Sequence, residues 1–175
     1  LELVWSNGKK ILNTKDANFS FGNASKVIEK ALTPYAQEIQ EAQNILILGF
    51  GCGSAIELLD RKYNYKNKLI GVEYDAKIID LYHEHFANQF QLKPKIVCSD
   101  AADFLRQDYA KYDIILVDLF KELENSILLK DSIFLKAIKS HTAFGGLTIF
   151  NTISRSEAES KLLSTLMIEL GMLYK

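Results

Sequence analysis

An unbroken apolar run, Ile45-Leu-Ile-Leu48, leads into three alternate glycines, Gly49, Gly51 and Gly53, and then into a helix-forming segment that opens near Ser54. No other stretch limits the fold so tightly. Four consecutive apolar residues bounded by a turn fit a strand covered on both faces. Glycines at alternate positions let the backbone reverse and approach a ligand with no Cβ in the way. The helix that follows aims unpaired N–H groups at the same place. Strand, glycine turn and helix together predict a nucleotide-type site.

The rest of the chain repeats this alternation. Strand-like runs fall at 45–49, 69–73, 95–98, 113–117 and 147–153, with amphipathic segments near 54–62, 76–88, 101–107 and 131–140 between them. A last helix is expected over about 155–170. Strands that alternate with helices imply an α/β fold with a mostly parallel sheet and helices on both faces. Ahead of it, Leu1–Trp5 and Lys9–Asn13 flank Ser6-Asn7-Gly8, a hairpin signal because Asn-Gly tolerates positive φ. Helical spacing follows from about Ala24 to Leu32. Thr33-Pro34 reads as a break and restart, with Thr33 as N-cap and Pro34 at the first helical position. The expected division is residues 1–22, a hairpin and cover segment containing Phe19 and Phe21, and residues 23–175, the α/β domain. The chain opens within a strand and stops soon after its last helix, so we expect both ends to continue and the sheet to lack its final strands.

Composition narrows the function classes. The net charge is −1, nearly half the residues are apolar, and lysines are interspersed with acids. That argues against disorder and against a nucleic-acid partner. Lys136 and Lys139 read as a solvated helix face. No apolar stretch reaches the roughly 20 residues that span a bilayer, so no membrane partner is expected. Cys52 and Cys98 form no Cys-x-x-Cys unit and read as thiols of a reducing, cytoplasmic compartment. His83 and His85 are two apart and do not share a helix face; they read as surface residues, and His141 stands alone. No metal site is expected.

The ligand can be narrowed further. Gly49-x-Gly51-x-x-Ser54 misses the third glycine of a dinucleotide fingerprint, and the Gly49-x-Gly51-x-Gly53 spacing suits an S-adenosylmethionine-type ligand better. The second strand ends at Glu73, twenty residues beyond Gly53, where a carboxylate can accept both ribose hydroxyls. Asp75 is better placed to cap the following helix. The third strand leads to Asp100, which could accept from an adenine amino group or simply cap a helix. The fourth, Tyr112-Asp-Ile-Ile-Leu-Val-Asp118, delivers an acid to the crevice beyond the carboxyl ends of the strands, where the reacting end of the ligand should lie.

With these residues the chain resembles the spermidine synthase family within the class I S-adenosylmethionine-dependent methyltransferase superfamily. The resemblance runs through Ile45-Leu-Ile-Leu-Gly-Phe-Gly-Cys-Gly53, Gly71-Val-Glu-Tyr-Asp75, Asp100-Ala-Ala-Asp-Phe-Leu105, Tyr112-Asp-Ile-Ile-Leu-Val-Asp-Leu-Phe120 and Gly145-Gly-Leu-Thr-Ile-Phe-Asn151. It implies a Rossmann-like sheet and a sulfonium-nucleoside pocket formed by Gly49, Phe50, Gly51, Cys52, Gly53, Glu73, Tyr74, Asp100, Ala101 and Asp118. Asp118 is the implied catalytic group. The cofactor is S-adenosylmethionine, or its decarboxylated form as co-substrate. Two departures stand out. Cys52 and Lys121 occupy positions where aminopropyltransferases of the family carry aspartates that serve amino groups. Each lost charge-assisted contact costs about 1.5–3 kcal/mol; Glu122 and Glu124 could compensate. Ile47, by contrast, stands where ordinary methyltransferases carry an acid, as in spermidine synthases.

The expected function is therefore methyl transfer to a small molecule by a spermidine synthase-like enzyme. The alternatives are polyamine aminopropyl transfer and a non-catalytic nucleoside-binding module. The hairpin edge offers a route to a homodimer.

Overall fold

The computed structural model describes residues 2–6, 9–13, 18–20, 23–121 and 124–174, with side chains described over 25–120 and 124–174. Strands β1 (Glu2–Ser6), β2 (Lys9–Asn13) and β3 (Asn18–Ser20) form an antiparallel sheet in that order. Ser6 lies opposite Lys9. The Asn7-Gly8 turn expected between them falls outside the described residues, as do Phe21 and the side chain of Phe19.

Helices α1 (Asn23–Leu32) and α2 (Ala36–Glu41) follow, joined by a 3-10 turn over Thr33–Tyr35 with Pro34 in its first turn. Thr33 is not the side-chain cap expected of it. Its hydroxyl donates back to the Glu29 carbonyl at 2.7 Å, satisfying the end of α1 rather than the start of the next element.

The second sheet is parallel, in the order β10-β7-β4-β5-β6. Its strands are β4 (Asn44–Leu48), β5 (Lys68–Glu73), β6 (Lys95–Cys98), β7 (Tyr112–Val117) and β10 (Thr142–Phe150). Helices α3 (Ser54–Arg61), α4 (Ala76–His85) and α5 (Ala101–Gln107) are the first three crossovers. A short β8 (Phe120–Lys121) and β9 (Glu124–Asn125) pair follows β7, then α6 (Ser132–His141), and α7 (Glu157–Leu173) follows β10. The chain thus places β5 and β6 to one side of β4 and β7 and β10 to the other. Such an order has a switch point beside its first strand, where open α/β sheets bind ligands.

The period of two along each strand builds two cores. Ile45, Ile47, Ile114 and Leu116 pack with Ile28, Ile56 and Ile78 of α1, α3 and α4. Leu46, Leu48, Ile115 and Val117 pack with Leu105 of α5 and Phe134 and Ile138 of α6. Register is pinned at the entry end, where Asp113 of β7 accepts from the Gln43 and Asn44 amides at 2.7 and 2.9 Å. The last strand differs from the expected 147–153. It starts at Thr142 and carries an irregularity before Leu147, because three more residues separate Thr142 from Leu147 than separate their partners Tyr112 and Ile114.

His141, which stands alone in the sequence, is buried. Its Nδ1 lies 2.7 Å from the Ala137 carbonyl and its Nε2 2.9 Å from that of Asp108. His83 is exposed, and no group of three metal-ligating side chains occurs among the described residues. Neither cysteine is in a disulfide. No described helix is long and apolar enough to cross a membrane.

Candidate functional site

At the carboxyl end of the sheet, backbone hydrogen bonds run one residue past the strands. Asp118 N–H donates to Leu48 O at 2.8 Å, Asn151 N–H to Val117 O at 2.8 Å, and Ser99 N–H to Glu73 O at 3.0 Å. These bonds bring the turn after β4 and the ends of β5, β6, β7 and β10 together at one end of the sheet, the end at which open α/β sheets have their ligand crevice.

The glycine turn forms one wall. Gly49, Gly51 and Gly53 all take positive φ, and Gly53 opens α3 in the left-handed region. A Cβ on Gly49 would fall on the carbonyl oxygen of Asp118, so the turn can lie this close to the end of β7 only with glycine there. The amides of the turn are largely engaged. Gly49 and Phe50 N–H both donate to Val72 O at 2.9 Å, Gly53 N–H to Phe50 O at 3.2 Å, and Gly51 N–H to Glu73 Oε2 at 2.9 Å.

Glu73 is buried, and its other oxygen accepts from the Asp75 amide at 3.1 Å. The carboxylate therefore ties the glycine turn to the start of α4. Each oxygen has a second lone pair for a further donor. Asp75 caps α4 by accepting from Lys77 N–H at 2.9 Å.

Asp100 is exposed and caps α5. Its Oδ1 accepts from Ala102 and Asp103 N–H at 2.8 and 3.2 Å, which leaves Oδ2 outside the cap. Ala101 is buried as the first residue of that helix. Tyr74 is 66% exposed beside Cys98, whose thiol lies 3.8 Å from the Tyr74 carbonyl.

Two members of the expected pocket turn inward. Phe50 is buried over Gly71, where any Cβ would enter its ring, and meets Tyr82 edge-on at 4.9 Å between centroids. Cys52 is fully buried with Sγ 3.8 Å from the Ile78 carbonyl of α4. Both contribute backbone to the turn and side chain to the core. Lys121 pairs with Glu124 in the β8–β9 register; its side chain and all of Glu122 lie outside the described residues.

Asp118 is the perturbed group. Burial pushes its pKa from 3.8 up to about 6, a hydrogen bond from Asn151 opposes the rise, and the nearby Glu73 charge adds to it. That places an acid near neutrality in the crevice, a property of proton-transfer sites. The bond from Asn151 Nδ2 to Asp118 Oδ1 is 2.7 Å. Asn151 was not among the expected site residues. Its signal was the same one that marks the acids, a polar residue ending an apolar strand.

The profile of the spermine/spermidine synthase domain matches residues 28–166. A probable polyamine aminopropyl transferase of Bifidobacterium longum is 28% identical over 121 residues, which are 69% of this chain and 26% of that protein. The chain thus spans about a quarter of that relative's length. A spermidine synthase in complex with the transition state analogue AdoDATO superimposes with TM-score 0.68 at 16% identity, covering 98% of this chain and 55% of the other. Human methyltransferase-like protein 13 in complex with SAH gives 0.66 at 18% identity, covering 86% and 72%. Both likenesses are of fold, and they place the sheet among Rossmann-like methyltransferase folds.

Proposed function

The chain belongs to the spermine/spermidine synthase domain family, and from that premise we propose that its crevice binds decarboxylated S-adenosylmethionine and transfers the aminopropyl group to an amine. This reverses the order expected from Cys52 and Lys121 alone, in which methyl transfer came first. The named relative is a probable polyamine aminopropyl transferase, which favours the reversal. So does the fate of Cys52, whose buried side chain faces α4, so that its lack of charge says little about the ligand.

The observation that carries the reading is the sign of the crevice. Glu73, Asp118 and Asp100 stand at or just beyond the ends of β5, β7 and β6. The amides of Gly49, Phe50, Gly51 and Gly53 are already engaged within the protein, so a ligand carboxylate would have only the amides that open α3 to draw on. An ammonium group is favoured in such a place and a carboxylate is not. Glu73 would hold the ribose hydroxyls and the free Oδ2 of Asp100 the adenine amino group.

The reaction is then a displacement. The amine nitrogen attacks the propyl carbon bonded to sulfur, the C–S bond breaks with its electron pair returning to sulfur, and methylthioadenosine leaves. The proton lost by the amine passes to Asp118, whose pKa of about 6 leaves it mostly ionised at neutral pH and still able to accept. The rest is placement, worth about 7–11 kcal/mol when reacting atoms are well aligned.

Calorimetry with S-adenosylmethionine, its decarboxylated form and methylthioadenosine tests the proposal. Tighter binding of the decarboxylated form is expected, together with loss of nucleoside binding in Glu73→Ala. Preference for the carboxylated form would restore methyl transfer, and no heat from any of the three would leave a module without this chemistry.

A further inference from the structure

One polar contact in the crevice belongs to neither the nucleoside contacts nor the glycine turn. Asn151 directly follows β10, 33 residues after Asp118, and its Nδ2 meets Asp118 Oδ1 at 2.7 Å. Because an ionised carboxylate only accepts, the amide must present its NH2 group, and this orients the Asn151 side chain. Asn151 is itself firmly mounted. Its own N–H continues the ladder to Val117 O at 2.8 Å. Two residues on, Ile153 is gripped on both sides by Asn125, whose Oδ1 accepts from Ile153 N–H at 2.9 Å and whose Nδ2 donates to Ile153 O at 2.7 Å. The segment after β10 is thus tied to β7 on one side and to β9 on the other. Asp118 Oδ2 takes no hydrogen bond among the described residues.

We infer that Asn151 is a positioning residue. Its amide holds Oδ1 of Asp118, fixes the plane of the carboxylate and leaves Oδ2, which has no hydrogen bond among the described residues, to accept from the incoming nucleophile. A carboxylate free to rotate about χ2 would spread that acceptor over a broad range of directions. A gripped one presents it in a single direction, which is what alignment for displacement requires. The same bond favours the ionised form and so keeps the base competent, against the burial and the Glu73 charge that act the other way. Among the described residues, Glu73 of β5 is the other titratable group acting on Asp118. The consequence for turnover rests on the aminopropyl-transfer reading; the consequence for titration does not.

The test is a carbon-13 NMR titration of the aspartate carboxyls in the full chain, with Asp118 assigned by its disappearance in Asp118→Asn. Asn151→Leu removes the donor at similar volume, and Asn151→Ala serves where leucine disturbs the fold. Loss of one hydrogen bond to a charged group should raise the proton affinity of Asp118 about tenfold to a hundredfold, a rise of about one to two pH units. Methylthioadenosine affinity should hold, since its ribose and adenine contacts are expected from Glu73 and Asp100, neither of which is bonded to Asn151. The acidic limb of the turnover profile should move up by the same amount as the titration. An unmoved Asp118 titration in a folded variant overturns the inference. A shifted titration in an enzyme that transfers no aminopropyl group leaves the positioning standing and removes the proposed reaction.

Discussion

Replacing Asp118 by asparagine should make the protein more stable at alkaline pH while abolishing turnover. The native state raises this carboxyl from 3.8 to about 6, chiefly because burial penalises its charge. A group whose folded pKa lies above its unfolded one binds more protons when folded, so folding weakens as pH rises between those two values. The charge therefore costs nothing below about pH 3, and the full cost is present above about pH 7. Two pH units at about 1.4 kcal/mol each put that cost near 3 kcal/mol. The asparagine side chain of the variant would carry no charge and could still accept from Asn151 through its carbonyl oxygen. Urea denaturation of both proteins at pH 8 and pH 4 reads the difference, because titrating groups distant from Asp118 cancel between them and only Glu73, which acts on Asp118, does not. The stability gain of the variant should be about 2.5 kcal/mol larger at pH 8 than at pH 4. A difference that stays flat within about 0.5 kcal/mol, or one that grows against the variant as pH rises, would refute the claim that Asp118 is held against its solvation.

Other perturbations follow from the same packing. Gly71→Ala forces a methyl group into the Phe50 ring, so it should cost about 1–3 kcal/mol in thermal or chemical denaturation and weaken nucleoside binding by displacing the glycine turn. Tyr82→Phe should be neutral or stabilising by about 1 kcal/mol, since the buried Tyr82 hydroxyl has no hydrogen-bond partner among the described residues while its ring supports Phe50; a large loss would reveal a partner for that hydroxyl. Asn125→Ala should loosen the segment after β10 and speed amide exchange at Ile153, with little effect on exchange in β4.

Much of this architecture is written in short-range pattern. Ile45 to Leu48 had to be a strand covered on both faces, because four apolar residues in a row bury only in that way or in a longer helix, and the glycines end the run too soon for a helix. Asp75 had to cap α4, since its carboxylate reaches the second amide of the following turn. Glu73, Asp100 and Asp118 could be named because a charged residue that closes an apolar strand marks the end of the sheet where ligands bind.

What local pattern could not decide is which way a side chain turns at a place where the backbone leaves regular structure. Phe50 and Cys52 sit among the glycines and look like pocket residues, yet both face the core, because Gly71 on the neighbouring strand leaves a hollow for one and α4 covers the other. His141 looked solitary until the Asp108 carbonyl, 33 residues earlier, came to lie against its ring. Asn151 meets Asp118 only because β10 pairs with β7 in one register. Periodicity and turn chemistry depend on neighbours along the chain, so they can be read from residue order. Contacts between distant strand ends depend on sheet order and register, which are set when the whole apolar surface is buried at once.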